Sequence, residues 1–256
     1  MATLRAAGIA VAFLLVTLLL IPVQWLGVKL HAGWRRSLPH IYHRFVCWLM
    51  GARITVLGTP LKGGVLLTAN HTGWIDIPVL SAVAPVSFVA KQEVNRWPFF
   101  GTLARLQRTV FVRRERSKAL EDRDNIRQRL SDGDTLVLFP EGTSGDGNRV
   151  LPFKSSLLSA AELALGEGAG RHAPVQPVSV SYVGLHGVPM GRENRPLIAW
   201  YGDMDLVSHL WEALGAGPVD VVVELHPPLT IDEAGGRKEL AAAAEAGVGG
   251  GVVRGL

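Results

Sequence analysis

The chain has 256 residues, enough to bury one good-sized core, and 48% of them are hydrophobic while only 19% are charged. The formal net charge of +4 favours an anionic partner such as a phospholipid surface, a nucleic acid or an acidic protein. A single cysteine, Cys47, excludes an intrachain disulfide framework and a cysteine-rich zinc site, and it suits a reduced cytosolic setting.

The first predicted element is an apolar helix. Residues 6 to 28 carry no charge, and as a helix they would extend about 34 Å, against about 30 Å for the hydrocarbon core of a bilayer. We expect a membrane anchor that spans or half-inserts. A secretory signal peptide is the alternative, but the run is longer than the usual signal-peptide core and lacks a small-x-small cleavage site.

Basic residues are concentrated on the far side of this apolar run. Arg5 alone precedes it, and five basic residues follow it: Lys29, Arg35, Arg36, Arg44 and Arg53. The positive-inside bias therefore places the large C-terminal part in the cytosol, at the inner (cytoplasmic) membrane.

A second helix is predicted over residues 38 to 50. Ile41, Phe45, Trp48 and Leu49 recur there at helical spacing, with basic residues between them. This pattern is typical of an amphipathic helix at a lipid interface, and equally of an ordinary helix that faces a core.

From residue 52 onward, short β-rich runs alternate with helical stretches. Near-continuous valine and leucine runs indicate strands buried on both faces, so the predicted fold is α/β, with a largely parallel mixed sheet flanked by helices. Strands are expected at 53–57, 65–69, 86–90, 109–112, 135–139, 175–182 and 219–225, and helices near 76–84, 97–106, 116–131, 155–167 and 205–214.

Three parts are expected along the chain. Residues 1–50 would be the anchor and interfacial helix, and residues 51–232 a catalytic domain. Residues 233–256 end in a low-complexity run of alanine and glycine, which predicts a frayed helix and a flexible tail.

The stretch NHTGWID follows the strand at 65–69 and places His71 five positions before Asp76. On one regular helix these side chains would lie about 140° apart. If His71 sits in the loop and Asp76 in the first turn of the next helix, the carboxylate can reach back and fix the imidazole tautomer. The alternative is an aspartate that only caps the helix beside an incidental histidine.

Four ordered blocks between about residues 50 and 185 resemble the glycerolipid acyltransferase family, which includes the bacterial lysophosphatidate acyltransferases. NHTGWID is similar to its histidine-x4-aspartate signature, and VAKQEVNRWPFFG to its linking segment. The remaining blocks are RTVFVRR at 108–114, FPEGTSGDG at 139–147 and VQPVSV at 175–180. Together the ordered blocks are a specific signal, although each alone would be weak.

The resemblance implies an acyltransferase in which His71 is the general base for an acceptor hydroxyl and Asp76 orients it. The hydroxyl would attack an acyl thioester directly, carried by acyl carrier protein or coenzyme A, with no cofactor and no metal. The residues agree with the absence of an acyl-enzyme, because no serine occupies a G-x-S-x-G elbow.

The resemblance also implies substrate-binding residues. Glu141, Gly142 and Thr143 lie in the third block, where Pro140 ends a buried strand and Gly142 allows close backbone approach. Arg114 matches an arginine of the second block. Lys91 and Lys154 are weaker candidates for contact with an anionic headgroup, since a lysine in such a place is more often only solvated.

This chain departs from the family pattern in both arginine-bearing blocks. The second block has Arg108 and Arg113 where the family has a glycine and an aspartate, and the third has Ser144 where it has an arginine. Those family arginines suit an acceptor phosphate. Their displacement, with the run TSGDGNRVLPFKSS and WYGDMDLVSHLW at 200–211, resembles the branch that acylates lyso-ornithine lipid. 1-Acyl-sn-glycerol-3-phosphate remains the alternative acceptor.

Other functions are less consistent with the sequence. Residues 105–129 carry nine basic and four acidic residues, but too few aromatic residues interleave for a nucleic-acid site, so anionic lipid or acyl carrier protein is the expected partner there, or simply solvent. A non-catalytic lipid-binding envelope protein would have no need of the histidine. A metal-dependent hydrolase would need further ligands near His71 and Asp76.

Overall fold

A computed structural model of the chain describes residues 1–113, 118–162 and 172–255. In this part, strands β1 to β8 are Ala52–Leu57, Val65–Ala69, Ser87–Lys91, Val110–Val112, Thr135–Leu138, Val175–Leu185, Val188–Pro189 and Val219–Leu225. Helices α1 to α9 are Ala2–Lys29, Trp34–Met50, Asp76–Val83, Phe100–Leu106, Ala119–Ser131, Gly191–Asn194, Leu206–Ala216, Ile231–Ala234 and Arg237–Gly255. Short 3₁₀ helices span Gln92–Arg96, Ser155–Glu162 and Arg195–Leu197.

The strands form one mixed sheet in the order β1-β8-β6-β2-β5-β3-β4, with β7 paired to β6. Strands β6, β2, β5, β3 and β4 run parallel to one another, whereas β8 is antiparallel to β6 and carries β1 beside it. All five residues of β2 are buried, as expected for a strand covered on both faces. The predicted fold class, a largely parallel mixed sheet flanked by helices, is confirmed.

Helices cover both faces of this sheet, and each face has its own core. One core contains α2 and α3 residues such as Val46 and Val79 together with alternate residues of β6 and β8. The other is built by α5, the 3₁₀ helix Ser155–Glu162 and α9, with Leu130, Leu158 and Leu240 fully or almost fully buried. The carboxyl ends of β2, β5 and β6 therefore meet at one edge, between two helical layers.

The predicted anchor is a single helix, α1, of 28 residues, long and apolar enough by length and composition to cross a membrane. It also contacts α2, α4 and α7. Three polar side chains along it fix it to the rest of the protein. Arg5 donates to the carbonyls of Leu214 and Met50. Further along, Thr17 bonds the Tyr42 hydroxyl, and the Gln24 amide donates to the Leu106 carbonyl.

Helix α2 faces a core, as one of the two alternatives for its sequence predicted. Val46, Cys47 and Met50 are buried in the core, and Phe45 and Leu49 pack against it. Ile41 and Trp48 are 60% and 73% exposed on the other side. The helix is therefore a core-facing helix that also presents apolar side chains outward.

The C-terminal residues differ from the prediction. Instead of a flexible tail, Arg237–Gly255 form α9, whose Leu240, Ala244 and Val248 are fully buried. The small residues that suggested low complexity are what permits the packing: a Cβ on Gly251 would lie 2.2 Å from Ser179 Oγ and 2.8 Å from the His226 ring. Glycine lets the helix approach the sheet this closely.

The remaining predicted helices are present where the structure describes them. The one near 76–84 is α3, and the one near 205–214 is α7. The one near 97–106 begins later, as α4 at Phe100, after a 3₁₀ helix. The helix near 116–131 is described from Ala119 and that near 155–167 only to Glu162; residues 114–117 and 163–171 lie outside the described part.

Candidate active site

The turn after β2 is fixed to the neighbouring strand before it reaches His71. The Asn70 side chain donates to the Val180 carbonyl at 2.9 Å and accepts from the Val180 N–H at 2.8 Å. Both bonds are buried, so they join β2 to β6 where the strands separate. Gly73 then allows the segment around Trp200 to pass, since a Cβ there would lie 2.8 Å from the Trp200 nitrogen.

Asp76 is completely buried in the first turn of α3 and is saturated with hydrogen bonds. Its Oδ2 accepts from the backbone N–H groups of Thr72 and Gly73 at 2.6 and 3.0 Å, and is 2.8 Å from His71 Nδ1. Its Oδ1 accepts from the Tyr182 hydroxyl at 2.6 Å. Both carboxylate oxygens therefore have hydrogen-bond donors, and the group lies at the N-terminus of the helix, where a negative charge is favourable.

The imidazole of His71 has one nitrogen engaged and the other available. An ionised Asp76 can only accept, so the proton between them belongs to Nδ1 and the lone pair of Nε2 is free. The ring stacks on Phe139 with centroids 4.0 Å apart, and 22% of the side chain is exposed. His71 is thus held in one tautomer and one orientation, with its basic nitrogen toward the open edge.

Glu141 follows β5, the strand next to β2, and reaches the same turn. Its Oε1 accepts from the His71 backbone N–H at 3.2 Å, while Oε2 is buried and has no partner in the described part of the chain. Burial raises the pKa of Glu141 to about 8, and the nearby Asp76 carboxylate adds to the rise. Near pH 7 this carboxyl is therefore neutral and has a proton to donate.

The other predicted site residues differ in how close they lie to the His71 turn. Gly142 adopts φ = 70°, and a Cβ on it would lie 2.9 Å from Lys154 Nζ, so Lys154 reaches the turn. Thr143 is exposed in the same turn, and Lys91 is exposed at the end of β3, where no described bond joins it to His71. Arg114 lies outside the described residues.

Arg108 and Arg113, which stand where the family pattern has other residues, form ion pairs away from His71. Arg108 pairs with the buried carboxylate of Asp134, and Arg113 pairs with Asp122 at 2.7 Å. The guanidinium groups hold the pKa of both carboxyls below the ordinary value, against the effect of burial. Neither arginine therefore replaces the one missing at Ser144.

Sequence reasoning did not find the residues that support the pair. The turn is contacted by Tyr182, Phe139 and the side chain of Asn70. The sequence around each of them is that of an ordinary strand or loop. Tyr182 is buried, and its pKa is raised well above the ordinary value by burial and by the adjacent Asp76. In the parts of the chain that the structure describes, no group of three or more metal-ligating side chains occurs.

Comparison with known proteins places this geometry in a family. A family model described as "Acyltransferase" matches residues 53–181, which span His71, Asp76 and Glu141. The chain belongs to the acyltransferase family. It is similar to the lyso-ornithine lipid O-acyltransferase of Brucella abortus, with 47% identity over 93% of this chain and 90% of that one. It is also similar to the enzyme of the same name from Rhizobium meliloti, with 46% identity over 92% and 82%.

The fold has a counterpart among solved structures. The 1-acyl-sn-glycerophosphate acyltransferase of Thermotoga maritima superimposes with a TM-score of 0.67 over 99% of this chain and 97% of its own, at 21% identity. At that identity the likeness speaks for the fold, including the N-terminal helices. This chain is therefore an acyltransferase with the architecture of that structure.

Proposed function

We propose that the protein is a membrane-bound lysolipid O-acyltransferase that transfers a fatty acyl group from acyl carrier protein or coenzyme A to lyso-ornithine lipid. The observation that carries the reaction is the His71–Asp76 pair, with Nδ1 fixed and Nε2 free. The acceptor is supported by the relatives from Brucella and Rhizobium, which carry that name. It is also supported by Ser144, at the place of a phosphate-binding arginine. 1-Acyl-sn-glycerol-3-phosphate, giving phosphatidate, is the second candidate.

In the proposed step, Nε2 of His71 takes the proton of the acceptor hydroxyl while the oxygen bonds to the thioester carbonyl carbon. The tetrahedral intermediate then breaks its C–S bond, and the protonated His71 returns the proton to the leaving thiolate. The products are an ester and a free thiol. Such base catalysis contributes about 10²–10⁴-fold in rate.

Asp76 stabilises the imidazolium that forms and keeps the ring oriented, because its own hydrogen bonds fix it from four sides. The neutral Glu141 carboxyl would donate its proton from Oε2 to an oxygen of the bound acceptor. Gly142 and Thr143 would lie against that acceptor, and Lys91 and Arg114 remain proposals for its binding.

We further propose that residues 1–50 dock the catalytic domain on the inner membrane, with the domain in the cytosol. Helix α1 touches the domain from Arg5 to Gln24, about 28 Å of helix at 1.5 Å per residue. A helix fixed to a polar domain over that length lies along the membrane surface and half-inserts rather than crossing. Its lipid-facing side chains would be Leu4, Val11, Leu14, Leu15, Leu18, Leu19 and Trp25, all exposed.

The test is acyl transfer by washed membranes that contain the full-length protein. Labelled acyl carrier protein thioester is offered with lyso-ornithine lipid and, separately, with lysophosphatidate. His71→Ala should abolish product while the protein stays membrane-bound. His172→Ala is the matched control, since His172 also pairs with a carboxylate at 2.8 Å, but that partner, Asp232, is exposed rather than buried.

The outcomes separate the parts of the proposal. His71-dependent product from lyso-ornithine lipid supports it, and product from lysophosphatidate alone would move the assignment to the second acceptor. Full turnover by His71→Ala would overturn the general base. Absence of any product would favour a non-catalytic lipid-binding protein.

A further inference from the structure

A cavity of about 330 Å³ opens beside the His71 turn, lined by Asp146, Asn148, Arg149 and Arg192. The loop that carries Asp146 is bonded to the turn directly, since the Gly145 N–H donates to the His71 carbonyl at 2.8 Å. The proposed reaction uses none of these side chains. The cavity therefore lies on the loop that is bonded to the His71 turn, without belonging to the proton-transfer machinery.

Arg195 lies behind Asn148, one of the residues that line this cavity. Its side chain is buried, with 6% of the residue exposed, and Nη1 donates to Asn148 Oδ1 at 2.7 Å. Its Nε is buried and has no partner in the described part of the chain. Burial and the neighbouring Arg192 lower the pKa of Arg195. A buried guanidinium with a neutral acceptor as its partner is costly unless an anion binds it.

Asp146 supplies the opposite charge a short distance away. Its carboxylate accepts from the Asn148 backbone N–H at 3.0 Å and from the Asn148 amide at 3.3 Å, which are both neutral donors. The same amide group holds Arg195 through its oxygen. Asn148 thus holds one anion and one cation on its two sides, and the Asp146 carboxylate opposes only in part the lowering of the Arg195 pKa by burial and by Arg192.

We propose that this cavity binds the headgroup of a zwitterionic acceptor, with Arg192 on its carboxylate, Arg195 adding its positive charge from behind Asn148, and Asp146 on its ammonium. An ornithine acylated on its α-amino group retains one carboxylate and one side-chain ammonium, so it matches both charges. The inference rests on the proposed function, and it names the residues that would select this acceptor.

A phosphate would use only part of this arrangement. Arginine forks suit carboxylate and phosphate equally well. The carboxylate of Asp146 would repel a phosphate monoester, whose charge near pH 7 is about −2, whereas it would attract an ammonium. The mixed lining therefore favours a ligand that carries both charges.

The experiment compares acceptors and variants together, with full-length protein in mixed micelles. The acceptors are lyso-ornithine lipid, its side-chain N-acetyl derivative, its carboxamide derivative and lysophosphatidate. The variants are Asp146→Asn and Arg195→Gln. Their matched controls are Asp124→Asn and Arg127→Gln, an exposed pair on α5.

For the wild type we expect acetylation of the ammonium to raise KM about tenfold to hundredfold, since a charge-assisted bond is lost. Asp146→Asn should raise KM for the natural acceptor by a similar factor and leave kcat within about twofold. We expect the Asp146→Asn enzyme to have the same KM for the acetylated acceptor as for the natural one. Arg195→Gln should likewise remove the preference for carboxylate over carboxamide.

Several results would overturn this inference. One is an Asp146→Asn enzyme that keeps the wild-type preference for the ammonium, or that slows both acceptors equally. If such a result came with normal His71-dependent acylation of lyso-ornithine lipid, the proposed function would stand and only the headgroup site would fall. Acyl transfer to lysophosphatidate alone would overturn both the proposed acceptor and the headgroup site. If Arg195→Gln does not fold, the role of Arg195 is tested with the wild-type enzyme, by the ratio of its KM values for the carboxylate and the carboxamide acceptors.

Discussion

Two histidine–carboxylate arrangements lie against the sheet in the part of the chain that the structure describes, and only one of them has the features of an active site. His71 is 2.8 Å from Asp76 at the open edge. His226 lies 2.7 Å from Ser179 Oγ and 3.8 Å from Glu224. This group therefore contains a serine, a histidine and a carboxylate close together. By residue type the second group is the more suggestive of catalysis.

The two groups differ in the position of their protons and in whether the histidine has a ring nitrogen with a free lone pair. Ser179 donates its hydroxyl proton to the Val248 carbonyl at 2.9 Å, so it accepts from His226 Nε2 and is no nucleophile. Gly251 of α9 covers the group, and burial lowers the pKa of His226. At His71 the carboxylate is inside and the second nitrogen faces outward. Access and a free lone pair, rather than residue types, distinguish a candidate base from a structural contact.

The largest contrast should come from the two carboxylates. Asp76→Asn would leave the ring of His71 in the wrong tautomer, and we expect kcat to fall by about 10²–10⁴-fold. Glu224→Gln, the counterpart at His226, should keep kcat within about twofold. Steady-state rates of both full-length variants measure this. A wild-type rate for Asp76→Asn would reduce Asp76 to a helix cap.

A smaller loss is expected when the support of Asp76 is removed. Tyr182→Phe takes away the hydroxyl that donates to Oδ1 at 2.6 Å and leaves a buried carboxylate oxygen unsatisfied, so kcat should drop about tenfold and the thermal midpoint should also fall. Unchanged kcat with a lowered midpoint would show that Tyr182 serves stability alone.

The pH profile tests the neutral Glu141 carboxyl. With its pKa raised to about 8, the group is protonated below that pH and ionised above it, so kcat/KM should decline as the pH rises through 8. Glu141→Gln keeps a donor but cannot ionise, and its rate should stay level to about pH 9. Parallel profiles for the two proteins, after correction for spontaneous thioester hydrolysis, would exclude this role.

The smallest catalytic effect is expected at Ser179. Ser179→Ala removes the bridge between His226 and Val248, which should lower the free energy of unfolding by about 1–3 kcal/mol and leave kcat unchanged. Denaturant unfolding beside the transfer assay checks both. A large loss of kcat without loss of stability would contradict the structural assignment of this group.

Much of the fold could be predicted from the sequence because parallel strands that are buried on both faces need runs of valine and leucine, as in β2 and β5. The contact between His71 and Asp76 was one of two alternatives that the spacing allowed, the other being an aspartate that only caps the helix. At the C-terminus a frayed helix and a flexible tail were predicted instead of the packed helix α9, since a glycine-rich helix is stable only against a surface that it can approach closely. Tyr182 and Asn70 could not be found, because their partners lie more than 100 positions away along the chain.

If α1 half-inserts as we propose, its attachment at Arg5, Thr17 and Gln24 would have a kinetic consequence. An active site held at a constant height over one leaflet would meet its acceptor by lateral diffusion within that leaflet and would return its product there. Turnover would then follow the mole fraction of acceptor among the surrounding lipids rather than its concentration per litre. Dilution with inert lipid would slow the enzyme, and dilution with buffer would not.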